Sequence, residues 1–462
     1  MHLHFLGICG TFMGSLAQLA KSAGHQVSGC DANVYPPMST QLQQAGIDLV
    51  EGFDPAQLKP APDLIIVGNA LSRGNPCIEY MLDNKLAYTS GPQWLGENIL
   101  KHKHVISVSG THGKTSTSSM LAKILDTVGY HPGYLIGGVP KDFGISARIG
   151  GTAADGKKYF VIEADEYDTA FFDKRSKFVH YHSNSLIINN LEYDHADIFD
   201  DLAAIQRQFH HCVRILPSNG NVIFPAANAA VLEVLEQGCW SQQLSFGAND
   251  APWQYELLAD DGSAFVISHK FSNQQATVKW QLSGLHNVSN AVAAIVAASE
   301  VGISLQQACD ALSSFVGIKR RMESIYSTDN MTIYDDFAHH PTAIKTTLEG
   351  LRAKVGDAQI MAVIEPRSAT MKLGVHQQAL SAVVTDSDQV FWYQNSTIDW
   401  DLASVAKSCP VPALVANDID SLLDAVESAV EGNQKLAKPM HIVIMSNGGF
   451  EGFHRLLVER LQ

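Results

Sequence analysis

The chain has 462 residues, 46% hydrophobic and 17% charged, which predicts two to four packed domains rather than a disordered polymer. Its formal charge of −15 argues against nucleic acid as a partner, because a phosphate backbone needs a basic face. Seven scattered cysteines without a C-x-x-C pair, and no apolar run of 18 residues, argue against a disulfide framework, a cysteine zinc site and a membrane span; a cytoplasmic protein is expected.

In chain order, HLHFLGICGTFMGSLAQLAKSAG from residue 2 reads as strand, glycine turn and helix, not as a signal peptide. A second strand, HQVSGCD, ends at Asp31, and LIIVGN follows from residue 64. Lys101-His-Lys-His104 then makes a linker. A second strand–turn–helix unit, HVISVSGTHGKTSTSSMLAKILDTVG, starts at residue 104, with strands YFVIEAD at 159 and SLIINNL at 185. Between Trp253 and Leu282 the stretches WQYELL, AFVISHK and ATVKWQL, divided by polar turns, predict antiparallel strands. The helix NVSNAVAAIVAASEVG precedes a second boundary between Gly317 and Thr332. Strands MTIY, IMAVIEP and QVFWYQ, the helix DSLLDAVESAVEG, and a third unit, HIVIMSNGGFEGFHRLLVERL from 441, complete the chain. This order predicts an α/β protein of three domains: a Rossmann-like unit at 1–101, a P-loop unit at 102–321 with a small antiparallel addition, and a Rossmann-like unit at 322–462.

Gly110-Thr-His-Gly-Lys-Thr115 has the parts of a phosphate loop. A strand precedes it, two glycines let successive N–H groups face inward, Lys114 brings charge, Thr115 offers a hydroxyl for Mg²⁺, and a helix follows. It lacks the loop's first glycine, since Val108 stands there, and a helix start rich in Ser and Thr caps is the plainer alternative. A nucleotide's metal needs oxygen ligands at strand ends, and Glu163-Ala-Asp-Glu-Tyr-Asp168 follows a strand, although such a run is also what a solvated loop contains. Asp194-His195 lies just past another strand, where a His ligand would suit a second ion. Asn287 and Asn290 sit three residues apart at a helix start, where paired amides can read an adenine edge, or Asn287 can simply cap the helix. Tyr334-Asp-Asp-Phe-Ala-His-His-Pro341 joins a strand to a helix. Its carboxylates suit a ribose hydroxyl, and Lys319-Arg320-Arg321 before it suits a phosphoryl group in transfer.

These clusters, in this order, resemble the Mur ligase family, ATP-dependent amide ligases of peptidoglycan assembly, whose hallmarks are GTxGKT, a glutamate after a strand, a DH pair, N-x-x-N, an arginine at the domain border and DDYxHHP. The resemblance covers essentially the whole chain, and the shortened phosphate loop is the family's own form. DDFAHHP and HFLGICGTFMG resemble the branch that acts on UDP-N-acetylmuramate, although Cys9 and Phe12 replace two glycines of its first loop. DANVYPPMST (31–40), AFFDKRSKFVHY, EPRSATMK and SNGGFEGFH resemble members that add a recycled tripeptide, L-Ala-γ-D-Glu-meso-diaminopimelate; addition of free L-alanine is the alternative.

The resemblance implies that Gly110, Thr111, His112, Gly113, Lys114, Thr115 and Ser116 hold the ATP phosphates. It implies one Mg²⁺ on Thr115 and Glu163 and a second on His195 with Glu163 near both, adenine on Asn287 and Asn290, the ribose on Asp336, and the γ-phosphate on Arg321. Gly7, Gly10, Thr11, Gly14 and Asp31 would face the UDP-sugar. Arg367 is expected to meet a carboxylate of the peptide, where the zwitterionic end of diaminopimelate calls for a guanidinium. Lys114, Glu163, His195 and Arg321 carry the chemistry in this reading; His339 and His340 are candidates for the base that deprotonates the amine, or for hydrogen bonding alone. The carbamylated lysine of some members has no counterpart in QRQFHHCVRIL. Two other classes compete. GICGTFMG with Asp31 suggests a nicotinamide dehydrogenase, although it is not G-x-G-x-x-G. A regulatory NTPase would hydrolyse ATP without an amine acceptor.

Overall fold

The structure, a computed structural model, describes residues 1–34, 38–434 and 438–462. Tyr35, Pro36 and Pro37 of the DANVYPPMST string lie outside them. Among the described residues no helix is long and apolar enough to cross a membrane.

Three principal sheets follow one another along the chain. The first has five parallel strands in the order Asp48–Glu51, Gln26–Asp31, His2–Leu6, Leu64–Val67, Tyr88–Ser90. Its order reverses beside His2–Leu6, so the turn after that strand opens into the crevice where doubly wound sheets hold ligands. Gly7 takes φ +81° in that turn, a conformation open to a residue without Cβ, and the helix Thr11–Ser22 follows.

The second sheet has ten strands. Its centre is parallel: Ser185–Ile188 and Tyr159–Glu163 flank His104–Ser109. All three are almost wholly buried, as continuous Val and Ile runs require when helices cover both faces. The phosphate-loop helix Lys114–Thr127 packs against Leu285–Glu300, whose alanines at 291, 293, 294, 297 and 298 are buried and let the two helices approach closely. Trp253–Leu257, Ala264–His269 and Gln274–Lys279 form the expected antiparallel extension. The third sheet, between Glu323 and Met445, has six strands; Met440–Met445 pairs in parallel with Met331–Asp336 on one side and Gln359–Ile364 on the other.

Contacts stitch the sheets together near the strand ends. Ser15 and Ser146 hydroxyls lie 2.8 Å apart, buried. The Thr370 hydroxyl donates to Asp194 at 2.7 Å and accepts from the Ala196 N–H at 3.2 Å. Lys141 N–H donates to Gly317 O and Lys319 N–H to Val139 O, so the segment before Arg320 is laid along the central unit.

Candidate active site

The loop after His104–Ser109 is held open by two glycines in the left-handed half of backbone space, Gly110 at φ +125° and Gly113 at φ +81°. The helix starting at Lys114 has no side-chain cap, which leaves its first N–H groups and its positive end for an anion. Two asparagines at the end of Ser185–Ile188 shape the loop. Asn190 accepts from Thr111 N–H through its backbone oxygen (3.1 Å) and from His112 N–H through its side chain (2.8 Å). The Asn189 amide donates to His112 O and the Thr117 hydroxyl. A Cβ on Gly113 would fall 2.3 Å from Asn290 Oδ1, so this glycine is required by close approach as well as by φ. Reading the sequence missed Asn189 and Asn190; two adjacent amides directly after a strand were the available signal.

Lys114 folds back over the loop. Its Nζ donates to Gly110 O at 2.5 Å and stands 3.4 Å from Glu166 Oε2. Glu166, 1% exposed, also meets His195 Nε2 at 3.1 Å, and the Tyr167 hydroxyl lies 2.7 Å from His195 Nδ1. Burial pushes the Glu166 carboxyl up, but Lys114 and then His195 outweigh it and hold the group at about 2. His195 is raised despite burial by its bond to Glu166, with Asp194 adding to it, and it occupies φ +56°, a strained position for a non-glycine residue. Glu163 does something different. It accepts from the Thr115 hydroxyl at 3.1 Å and from Gly137 N–H at 2.7 Å. The acidic run therefore divides its hydrogen bonds: Glu163 accepts from Thr115 and Gly137, while Glu166 pairs with His195 and Lys114. Position in the run decides this, because Glu163 ends the strand whereas Glu166 lies three residues on, where the chain has turned toward Lys114.

Lys177 continues the constellation toward the first domain. It is nearly buried, 3.2 Å from Asp165, with its Nζ 5.3 Å from the Phe12 ring centroid and 5.5 Å from that of Tyr167. Phe12 opens the helix that follows the glycine turn, so one cation bridges that helix start and the acidic segment.

Around that turn, Gly7 and Ile8 N–H groups donate to Cys30 O and Cys9 N–H donates to Asp31 Oδ2 at 2.8 Å, which commits that oxygen to shaping the turn. The helix behind Gly10 lacks a side-chain cap, so its first N–H groups remain available. Gly14 is a packing position: a Cβ there would lie 2.3 Å from Met38 Sδ.

On the third domain, Arg320 is a tether, donating to Ser446 O and Gly448 O and pairing with Asp335 at 3.2 Å. The Arg321 side chain makes no hydrogen bond or ion pair among the described residues; its guanidinium stands over Phe337 at 5.0 Å. Asp336, 4% exposed, spends its oxygens on Met322 N–H and Ala338 N–H at 2.8 Å each. The structure thus uses that carboxylate to fold the linker, and a ribose contact would require it to share those bonds. Asn287 is not a cap, since the helix starts at Leu285 behind Gly284; its amide donates back to Ser283 O. His340 caps the helix Pro341–Val355. Burial, with His112 next for His340, pushes His339 to about 4 and His340 to about 3, so neither is tuned to take a proton near neutral pH. Arg367 is exposed, makes no hydrogen bond among the described residues, and lies so close to Gly448 that a Cβ there would fall 1.2 Å from its Nη1.

This arrangement fits a nucleotide triphosphate with a divalent cation: uncapped N–H groups, a lysine, a hydroxyl–carboxylate pair, and a carboxylate–imidazole pair. Comparison with known proteins agrees. Three family models match in order: "Mur ligase family, catalytic domain" over residues 2–103, "Mur ligase middle domain" over 108–298 and "Mur ligase, glutamate ligase domain" over 320–448. The chain is 50% identical over its full length to proteins of Haemophilus influenzae and Escherichia coli, each named UDP-N-acetylmuramate–L-alanyl-γ-D-glutamyl-meso-2,6-diaminoheptandioate ligase, and spans 99% and 98% of them. A UDP-N-acetylmuramate–L-alanine ligase of Acetivibrio thermocellus is 30% identical over 97% of the chain and 93% of that protein. Among solved structures, a murein peptide ligase from Psychrobacter arcticus superposes with a TM-score of 0.77 at 49% identity, covering 100% of this chain and 98% of its own. The chain belongs to the Mur ligase family.

Proposed function

We propose that this ATP-dependent ligase joins the lactoyl carboxylate of UDP-N-acetylmuramate to the α-amine of L-Ala-γ-D-Glu-meso-diaminopimelate, in the cytoplasmic recycling of peptidoglycan. The observation that carries the reading is 50% identity, end to end, to relatives named for that reaction, against 30% for a relative named for L-alanine addition.

The carboxylate attacks the γ-phosphorus of ATP, giving an acyl phosphate and ADP; the peptide amine then displaces phosphate through a tetrahedral intermediate. The physical difficulty is bringing an anion to a polyphosphate. Lys114 is already in the loop, the Arg321 guanidinium makes no ion pair among the described residues, and both would spread the charge of the phosphoryl group in transfer. Thr115 with Glu163, and Glu166 with His195, suit two Mg²⁺ ions, which supply Lewis-acid charge neutralisation when bound. Lys177, between Phe12 and the acidic segment, would meet the lactoyl group of a sugar bound at Gly7–Gly14. The free N–H groups behind Gly10 suit its diphosphate, and Asp31 holds the turn in shape. Asn290, against Gly113, is within reach of the nucleotide, with Asn287 one turn before it. Domain boundaries near residues 101 and 321 are the natural hinges for closing on three substrates.

The test is phosphate release from ATP and Mg²⁺ with UDP-N-acetylmuramate, comparing the tripeptide with L-alanine. Turnover with the tripeptide, matched by a product of the tripeptide adduct's mass, is expected; turnover with L-alanine alone would overturn the substrate assignment and leave the ligase chemistry standing.

A further inference from the structure

Apart from the Thr115–Glu163 and Glu166–His195 pairs, a second group of donors gathers where the central and third domains meet. His112 Nε2 lies 3.3 Å from Glu192 Oε2, and His340 Nδ1 lies 3.6 Å from the same oxygen. One ligand atom from each residue falls within 4.8 Å of the other two. The three come from separate segments: the phosphate loop, the chain after Ser185–Ile188, and the cap of helix Pro341–Val355.

We propose that His112, Glu192 and His340 form a transition-metal site, suited to Zn²⁺ or a neighbouring borderline cation, that pins the phosphate loop to the third domain. No ion is present there. Four ligands about 2.0–2.1 Å from a tetrahedral Zn²⁺ stand about 3.3–3.4 Å apart, so the 3.3 Å separation already matches and the 3.6 Å one needs only a small contraction. Two imidazoles and one carboxylate favour Zn²⁺, Ni²⁺ or Co²⁺ over Mg²⁺, which takes oxygen ligands in octahedral geometry. The outer contacts are those of a built site. The Thr342 hydroxyl donates to Glu192 Oε2 at 2.6 Å and fixes the carboxylate. His340 Nδ1 accepts a long 3.3 Å bond from Thr342 N–H, so that nitrogen is unprotonated, and an ion would take its lone pair in place of this weak capping bond. The opposite nitrogen, Nε2, is buried without a partner. Because the donors belong to two domains, an ion would hold the ligase in one inter-domain arrangement and stop the opening that each turnover needs.

The test titrates Zn²⁺ into metal-stripped, full-length protein against a chromophoric chelator, with Mg²⁺ in excess and no nucleotide. One Zn²⁺ should bind, His340→Asn and Glu192→Gln should each weaken it at least about tenfold, and His195→Asn should leave the affinity unchanged. Loss in His195→Asn with retention in His340→Asn would overturn the proposal in favour of the Mg²⁺ position. Retention in every variant would assign the ion to cysteines elsewhere and equally overturn it. Crystals of the unaltered protein soaked in Zn²⁺ provide a readout independent of variant folding: an anomalous peak among His112, Glu192 and His340 is expected, and its absence refutes the site.

Discussion

Replacing Glu166 with glutamine keeps the side chain's shape and removes one charge from the most enclosed part of the site. The carboxylate is 2% exposed, 3.4 Å from Lys114 and 3.1 Å from His195. A carboxyl held at about 2 rather than 4.5 contributes about 3 kcal/mol at neutral pH. An independent route agrees, since removing one partner from a buried pair costs about 3–5 kcal/mol. For a unit of this size, about 3 kcal/mol lowers the melting temperature by about 6–12 °C, and the same energy expressed in the transition state is about two orders of magnitude in rate. Calorimetry without nucleotide and phosphate release at saturating Mg²⁺ read the two effects separately. The sign with pH is also determined. Glu166 is depressed in the folded protein, so its contribution is present above 4.5 and lost as pH falls toward about 2; the gap between wild type and Glu166→Gln should be full at pH 7 and shrink below about pH 4. A variant that melts within about 2 °C of wild type and ligates within about twofold of it would refute the idea that Lys114 and His195 depend on this carboxylate.

Gly113→Ala should add about 1–2 kcal/mol of backbone strain at φ +81° and displace Asn290, so nucleotide affinity measured by calorimetric titration should fall while UDP-sugar affinity stays. Thr370→Val removes two buried hydrogen bonds to Asp194 and Ala196 and should lower stability by about 1–3 kcal/mol, whereas Thr370→Ser should not. Arg367→Ala should raise KM for the tripeptide far more than for UDP-N-acetylmuramate; equal effects would reassign it to holding the Gly448 loop. His4 is buried and pushed down to about 4, chiefly by burial and next by His2. Between pH 6.5 and 4 the unfolded chain binds a proton that the folded one refuses, so up to about 3 kcal/mol is lost as pH falls through that window. His4→Gln should flatten this part of the pH–melting profile, and an unchanged slope would show that His4 does not titrate on unfolding.

The strand–turn–helix units were legible because apolar runs and glycines announce them, and the antiparallel extension because its short strands alternate between polar turns. Site residues on a single turn, such as Lys114 and Thr115, were legible for the same reason: spacing along the chain equals spacing in space. What escaped was assembled from distant segments. Nothing in EADEYD says that its third acid pairs with His195, because that depends on where the chain turns after Glu163. Asp336 and Asp31 illustrate the converse. Both stand in suggestive motifs, yet each accepts backbone N–H groups, and hydrogen-bond commitments of that kind are invisible until neighbouring strands are placed.

The order of strands in the third sheet has a consequence for how the enzyme is born. The five-stranded sheet is complete once Ser90 has been made, so the first domain can close early in synthesis. In the last sheet, Met440–Met445 joins two halves that otherwise do not touch along their strands. That strand is the last of the sheet to be synthesised, so the sheet is completed only when the segment to Met445 has emerged. Asp335, Asp336 and the Ser446–Gly448 turn that anchors Arg320 all sit at the carboxyl ends of the two strands paired there. A chain that stops short of Met445 therefore has the strand and helix of the phosphate loop without the turn that anchors Arg320.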